Sequence, residues 1–289
     1  MAINWFPGHM HKARKEIKKI IPKIDLIIEV LDARIPFSSE NPLVAELRQQ
    51  KPCIKLLNKS DLADPVVTKQ WQEFLEQEKN VIAQAVTCEQ KAAIKKIPQL
   101  CLSMFAERNT SVKPVRVMIM GIPNVGKSTL INILTGRLIA KTGDEPAVTK
   151  RQQSIALDNG IELMDTPGFL WPKIENASSG YRLAVTGAIK NTAMEFEDVA
   201  LFAADYFIKA YPDEIKQRYK LSSVPARGVE LLEAIGRKRG CLQAGGIVNL
   251  HKAAEILINE FRAKLLGRLS LETPQMIAEE LDESRDKQL

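Results

Sequence analysis

Short apolar runs alternate with amphipathic stretches through the first 165 residues, and the pattern changes character near residue 178. After a basic, helical opening, residues 24–31 read as a buried strand, 42–50 as a helix and 53–57 as a second strand. A helix over 66–78, a strand over 81–86 and a helix over 91–108 follow. A polar break at 109–114 leads into an apolar strand over 115–120 and a helix over 127–134. Residues 153–157 and 161–164 flank Asp158, Asn159 and Gly160, a hairpin signal that predicts one antiparallel pair at a sheet edge. Such alternation predicts a mostly parallel sheet with helices on both faces. From residue 178 the spacing is helical, notably over 193–210, 228–237 and 249–266. The expected organisation is an α/β domain over residues 1–176 and a smaller all-α domain over 177–289, ending in a short helix and a frayed acidic tail from Glu272.

Composition narrows the class. With 45% hydrophobic residues over 289 positions the chain can bury a full core, which excludes a disordered reading. No apolar stretch reaches the roughly 18–20 residues of a membrane span. Lys12, Arg14, Lys15, Lys18 and Lys19 interrupt any secretory signal, so a cytoplasmic, soluble protein with no membrane partner is expected. Cys53, Cys88, Cys101 and Cys241 form no CxxC pair and read as reduced packing residues. The formal charge of +6 is uneven: residues 271–289 hold six acids against Arg285 and Lys287, a charge of −4, which leaves the first 270 residues at +10. That surplus suits a polyanion such as nucleic acid, although basic proteins also arise without one.

The phosphate chemistry lies where the strand over 115–120 meets its helix. Gly121-Ile-Pro-Asn124-Val125-Gly126-Lys127-Ser128 fits G-x-x-x-x-G-K-[ST]. Its glycines let backbone N–H groups curl around the α- and β-phosphates, Lys127 neutralises β/γ charge, and the Ser128 hydroxyl ligates Mg²⁺. Thr129 continues the contact surface. Asp165-Thr-Pro-Gly168 follows the next strand, so Asp165 could hold the Mg²⁺ shell through water and Gly168 could meet the γ-phosphate by its N–H. Alone, this short motif also describes a plain turn. Thr149, in the loop between them, could fold over the nucleotide and add a second hydroxyl to Mg²⁺, although a loop threonine is commonly inert.

Asn58-Lys59-Ser60-Asp61 follows the strand over 53–57. A carboxylate here accepts from both N1–H and the exocyclic amine of guanine, a pattern adenine lacks, and rejects the wrong base because the acceptor would stay unpaired. The Lys59 stem would cover the base plane and Asn58 would brace neighbouring loops; a simple helix cap at Ser60 or Asp61 is the plainer alternative. Thr87, in Ala85-Val-Thr-Cys88 after the next strand, falls where a further base-contacting loop belongs. Base recognition therefore precedes phosphate binding, the reverse of ordinary GTPases. A parallel sheet tolerates that circular permutation, because each loop stays at its strand end wherever the termini are cut.

The permuted order resembles the YlqF/RbgA family of ribosome biogenesis GTPases. So do Trp5-Phe-Pro-Gly-His9-Met10, Asp32-Ala-Arg34-Ile-Pro36 and Asp165-Thr-Pro-Gly-Phe-Leu-Trp-Pro172, and the likeness covers nearly the whole chain. The resemblance implies a circularly permuted P-loop GTPase domain followed by the all-α domain. It implies binding of GTP or GDP with Mg²⁺, and hydrolysis coupled to late maturation of the large (50S) ribosomal subunit. The carboxy-terminal helices would contact rRNA; no DNA partner and a monomer are expected. It points to His9 as the group that positions the attacking water, since Phe169 stands where many GTPases place a glutamine. A helix cap or an RNA contact is the other reading of His9. Asn124 is similar to the asparagine of K⁺-activated relatives. Ala147 stands where the family usually has glycine and His11 where it often has alanine; neither change removes a liganding group. Arg237, Lys238, Arg239, Lys252, Arg262, Lys264 and Arg268 are candidate phosphate contacts, each also readable as a solvated charge. A non-catalytic, GTP-gated rRNA-binding scaffold is the alternative function, and a small-molecule P-loop kinase a third that the guanine-type loop disfavours.

Overall fold

Seven consecutive buried residues, Leu26–Asp32, form β1 at the middle of a six-stranded sheet, apolar except for Glu29 and Asp32, as suits a strand covered on both faces. The computed structural model describes residues 15, 17–138, 153–157, 160–166, 174, 176–189 and 195–286. The other strands are β2 (Cys53–Asn58), β3 (Val81–Ala85), β4 (Val115–Met120), β5 (Gln153–Leu157) and β6 (Ile161–Asp165). Their spatial order is β3-β2-β1-β4-β6-β5, parallel throughout except for the antiparallel pair β5 and β6 at one edge. The chain builds β1, β2 and β3 outward in one direction and then returns to place β4 on the other side of β1. The order therefore reverses between β1 and β4, and in an open parallel sheet the crevice at the carboxyl ends of such strands is where ligands bind.

Short helices link the strands. One turn, α1 (Pro36–Ser39), leads to α2 (Pro42–Arg48), capped by Asn41, whose side chain accepts from Leu43 N–H at 3.0 Å. α3 (Pro65–Leu75) starts at Asp64, which accepts from the Val66 and Val67 N–H groups at 2.8 and 3.3 Å. The helix expected over 91–108 is instead two, α4 (Lys91–Ile94) and α5 (Ile97–Ser103). Pro98 cannot donate back to a preceding turn, so the helix restarts with proline in its first turn. α6 (Lys127–Thr135) follows β4.

Beyond the sheet lie α7 (Ala177–Thr186), α8 (Phe196–Ala210), α9 (Pro212–Tyr219), α10 (Gly228–Arg239), α11 (Leu250–Arg262) and α12 (Pro274–Asp286). α8, α10 and α11 pack together around Phe207, Leu231, Ile235, Leu257 and Phe261. That core is continuous with the one beneath β1 and β4. The acidic end is more than a tail, since Ile277 packs with Trp71 of α3 and the Trp71 indole N–H donates to the Glu272 carbonyl at 3.1 Å. Glu272 is fully buried, accepts from Ser38 N–H at 3.0 Å and faces Arg182 at 3.6 Å, while Arg182 also grips Glu280. Among the described residues no helix is long and apolar enough to cross a membrane, and no cluster of three or more His, Cys, Asp or Glu could hold a metal ion.

Candidate functional site

The carboxyl ends of four strands converge. Asp32 at the end of β1 pairs in register with Asn58 at the end of β2, and Ile119 of β4 pairs with Asp165 at the end of β6. Each loop carrying a motif therefore leaves the sheet on the same side.

Gly121 opens the phosphate loop at φ 147°, and a Cβ there would lie 2.5 Å from the Val30 carbonyl oxygen. Gly126 closes it at φ 97°, where a Cβ would strike the Asn58 side-chain amide. Only glycine fits either position. α6 begins at Lys127, so the first-turn N–H groups around half-buried Ser128 and Thr129 face an anion site of the helix-terminus kind. Lys127 is buried and its Nζ donates to the carbonyls of Gly121 and Ile122 at 3.0 and 2.7 Å, folding the side chain back over the loop. Burial pushes its pKa down to about 8, against the opposing pull of Asp165.

Asp165 is buried and its Oδ1 has no hydrogen-bond partner. Burial raises its carboxyl to about 6, with Lys127 and the Thr166 N–H acting the other way. An orphaned buried carboxylate oxygen at a strand end, across from a P-loop lysine and serine, is chemically suited to the hydrated shell of a hard divalent cation. Thr166 is tied into the sheet by donating to the Ile119 carbonyl at 2.8 Å.

The loop after β2 is locked to the phosphate loop. Asn58 Nδ2 donates to the Val125 carbonyl at 2.7 Å, and its Oδ1 lies 3.8 Å from Cys88 Sγ. Ser60 N–H donates to the Val86 carbonyl at 3.1 Å, which brings Asp61 beside the loop carrying Thr87. Thr87 is buried and accepts from Glu89 N–H at 3.2 Å. Lys59 takes a left-handed backbone, φ 59°, and its Nζ donates to Asp32 Oδ2 at 3.0 Å. Asn124, also left-handed at φ 61°, donates from Nδ2 to the Gly187 carbonyl at 2.9 Å, just past the end of α7.

Asn58, Lys59, Asp61, Thr87, Gly121, Asn124, Val125, Gly126, Lys127, Ser128, Thr129 and Asp165 thus share one end of the sheet, whereas His9, Thr149 and Gly168 lie outside the described residues. Two basic residues read as phosphate contacts have internal tasks instead. Arg262 donates to the carbonyls of Val185 and Ala184 at 2.8 and 2.7 Å, closing the carboxyl end of α7. Arg268 donates to the carbonyls of Ala63 and Ser60 at 2.9 and 2.8 Å, bracing the guanine-type loop. Arg239 is paired with Glu260 at 2.8 Å, while Lys238, Lys252 and Lys264 are exposed. Sequence reasoning gave Asp32 and Arg34 no chemistry, because the register that sets Asp32 beside Asn58 leaves no local signal in the chain.

A guanine-type loop that precedes the phosphate loop in the chain yet touches it in space is the mark of a circularly permuted P-loop GTPase domain. The chain is 46% identical to ribosome biogenesis GTPase A of Priestia megaterium over 95% of its own length and 98% of that protein, and 33% identical to the Thermotoga maritima protein of that name over 95% and 96%. It belongs to the ribosome biogenesis GTPase A (YlqF/RbgA) family. The family described as 50S ribosome-binding GTPase matches residues 116–230. Among solved structures, GDP-bound TM YlqF superposes with a TM-score of 0.67 at 30% identity, covering 90% of this chain and 99% of that one. GNP-bound YlqF from T. maritima gives 0.63 at 30% identity, over 92% and 99%.

Proposed function

We propose that this protein binds GTP at the carboxyl ends of β1, β2, β4 and β6 and hydrolyses it during assembly of the large ribosomal subunit. The bond from Asn58 to the Val125 carbonyl supports this most directly, because it fuses a base-selecting loop and a phosphate loop into one cradle. Asp61 selects guanine, Lys59 covers the base, Thr87 lines its edge, and the backbone from Gly121 to Thr129 holds the phosphates. Ser128, Thr149 and Asp165 would hold Mg²⁺, which when bound offsets the charge of the β- and γ-phosphates. The orphaned Asp165 Oδ1 fits that role. Gly168 meets the γ-phosphate, His9 orients the water, and Asn124 would hold a K⁺ ion, which when bound would supply positive charge at the phosphates.

The exposed cations Lys238, Lys252 and Lys264 give the helical region a charge suited to rRNA, and the first 270 residues carry +10 overall. The reading places the protein in the cytoplasm, as a monomer that binds the immature subunit with GTP and leaves after hydrolysis. The deciding experiment is single-turnover hydrolysis with and without immature large subunits, in K⁺ and in Na⁺. Stimulation by subunits is expected, and a faster rate in K⁺. Absence of stimulation at any salt concentration favours a GTP-gated scaffold, and equal rates in the two salts remove the monovalent ion. A His9→Ala variant that keeps the stimulated rate removes the histidine.

A further inference from the structure

The lysine of the guanine-type loop is not free to choose its orientation. Lys59 Nζ sits 3.0 Å from Asp32 Oδ2, across two strand ends that lie in register. Asp32 is itself fixed before it meets the lysine. Arg34 grips the carboxylate with Nε on Oδ1 at 2.9 Å and Nη2 on Oδ2 at 2.8 Å, and the Arg34 backbone N–H adds a third bond at 3.1 Å. Asp32 N–H donates to Ser39 Oγ at 3.0 Å. Arg34 in turn is held from the helical region: its guanidinium carbon stands 5.1 Å from the centre of the Phe261 ring on α11, and its carbonyl accepts from Leu271 N–H at 2.9 Å.

An ordinary lysine carries large rotamer entropy on a flexible four-carbon stem and a strongly hydrated head. Such a side chain gains little by lying along a base, because ordering it costs about as much as the contact returns. An ion pair with a buried, doubly gripped carboxylate removes most of that freedom before the ligand arrives. The surrounding charge makes the carboxylate indispensable. Arg34, Lys59 and Arg262 are mutually repelling cations, and Asp32 is the acid that pairs with two of them. Burial alone would raise the Asp32 carboxyl, yet Arg34 and Lys59 hold it well below the ordinary carboxylate range, so it stays charged at any working pH.

We propose that Asp32 is a positioning residue for guanine-nucleotide recognition: it pins the Lys59 head so that the lysine stem lies pre-ordered along the base plane. The inference rests on the reading of Lys59 as the residue that covers the base.

The test is a double-mutant cycle on the full chain, read by titration with a fluorescent GDP analogue and by competition with pyrophosphate. Lys59→Met and Asp32→Asn are each expected to weaken GDP binding about tenfold, equivalent to about 1.4 kcal/mol, and the double variant to be no weaker than Lys59→Met alone. Pyrophosphate, which engages the phosphate loop only, stays within about twofold in all three. Multiplicative losses in the double variant, or an unchanged affinity in Asp32→Asn beside a weakened Lys59→Met, overturn the proposal. An unchanged affinity in Lys59→Met overturns the base-covering reading beneath it. If Asp32→Asn does not fold, Asp32→Glu keeps the charge but displaces it by one methylene. It should lose about threefold in the wild-type background and nothing in Lys59→Met.

Discussion

Asn58 and Val125 are joined by a hydrogen bond of 2.7 Å between a side-chain amide and a backbone carbonyl 67 positions away in the chain. The base loop and the phosphate loop are therefore one mechanical unit. Asn58→Ala leaves the buried Val125 carbonyl unpaired, a loss of about 1–3 kcal/mol, and should weaken GDP and pyrophosphate together by about tenfold or more. Calorimetric titration of both ligands checks this. A loss confined to GDP would mean that the bond does not transmit to the phosphate loop.

The Lys127 and Asp165 pair sets a pH window for nucleotide binding. Lys127 must be protonated to meet phosphate, and its pKa of about 8 in the ligand-free protein means that affinity falls as pH rises through that value. If Asp165 serves a cation as proposed, it must be ionised, and its value of about 6 predicts that Mg²⁺-dependent affinity falls as pH drops below it. A plateau between about pH 6 and 8 is expected. Lys127→Arg, whose guanidinium stays charged, should remove the alkaline limb from the profile of residual binding.

Arg268 braces the guanine-type loop from the far end of the chain, with its two bonds to the Ser60 and Ala63 carbonyls. Because its side chain is exposed, Arg268→Ala should fold normally and lower stability by less than about 1 kcal/mol. GDP release, followed by stopped-flow fluorescence, should accelerate about three- to tenfold as the loop loosens. Unchanged release would make the arginine a bystander.

Two buried carboxyls tie stability to pH. Burial, and then the neighbouring Glu40, raises Glu29 to about 8; burial raises Glu272 to about 7 against the pull of Arg182. Both folded values lie above the ordinary 4.5, so folding takes up protons. Their stabilisation is complete below that ordinary value and is lost as pH rises through about 7 to 8. The melting temperature should climb by a few degrees from pH 8.5 to pH 6, and Glu272→Gln should flatten the slope while raising stability at the alkaline end. Parallel slopes in variant and wild type would contradict this assignment.

The sheet was legible because fully buried strands such as Leu26–Asp32 and Cys53–Asn58 are mostly apolar, each with two polar residues, and because the P-loop signature joins a strand to a helix. α9 was missed: half of its eight residues are charged, and only Ile215 and Tyr219, one turn apart, are buried. α1 is a single turn, too short for any periodicity. At the site, residue types announced Lys127 and Asp61, but the Asp32 to Lys59 pair depends on register, which no local pattern encodes. Arg262 and Arg268 show the opposite error, since a basic residue in a helical segment looks alike whether it faces water or a carbonyl of its own chain.

Arg268 reaches back 208 positions to Ser60, and Leu269 N–H binds the Leu62 carbonyl at 3.1 Å. During synthesis the segment that selects the base leaves the ribosome early and waits for most of the polypeptide before its brace exists. A nascent chain interrupted before residue 268 would hold the base loop to the phosphate loop through the Asn58 to Val125 bond, without the bonds from Arg268 and Leu269. The tightest hold on the base loop is thus completed only when nearly all of the molecule has been translated, so full retention of nucleotide belongs to the finished chain.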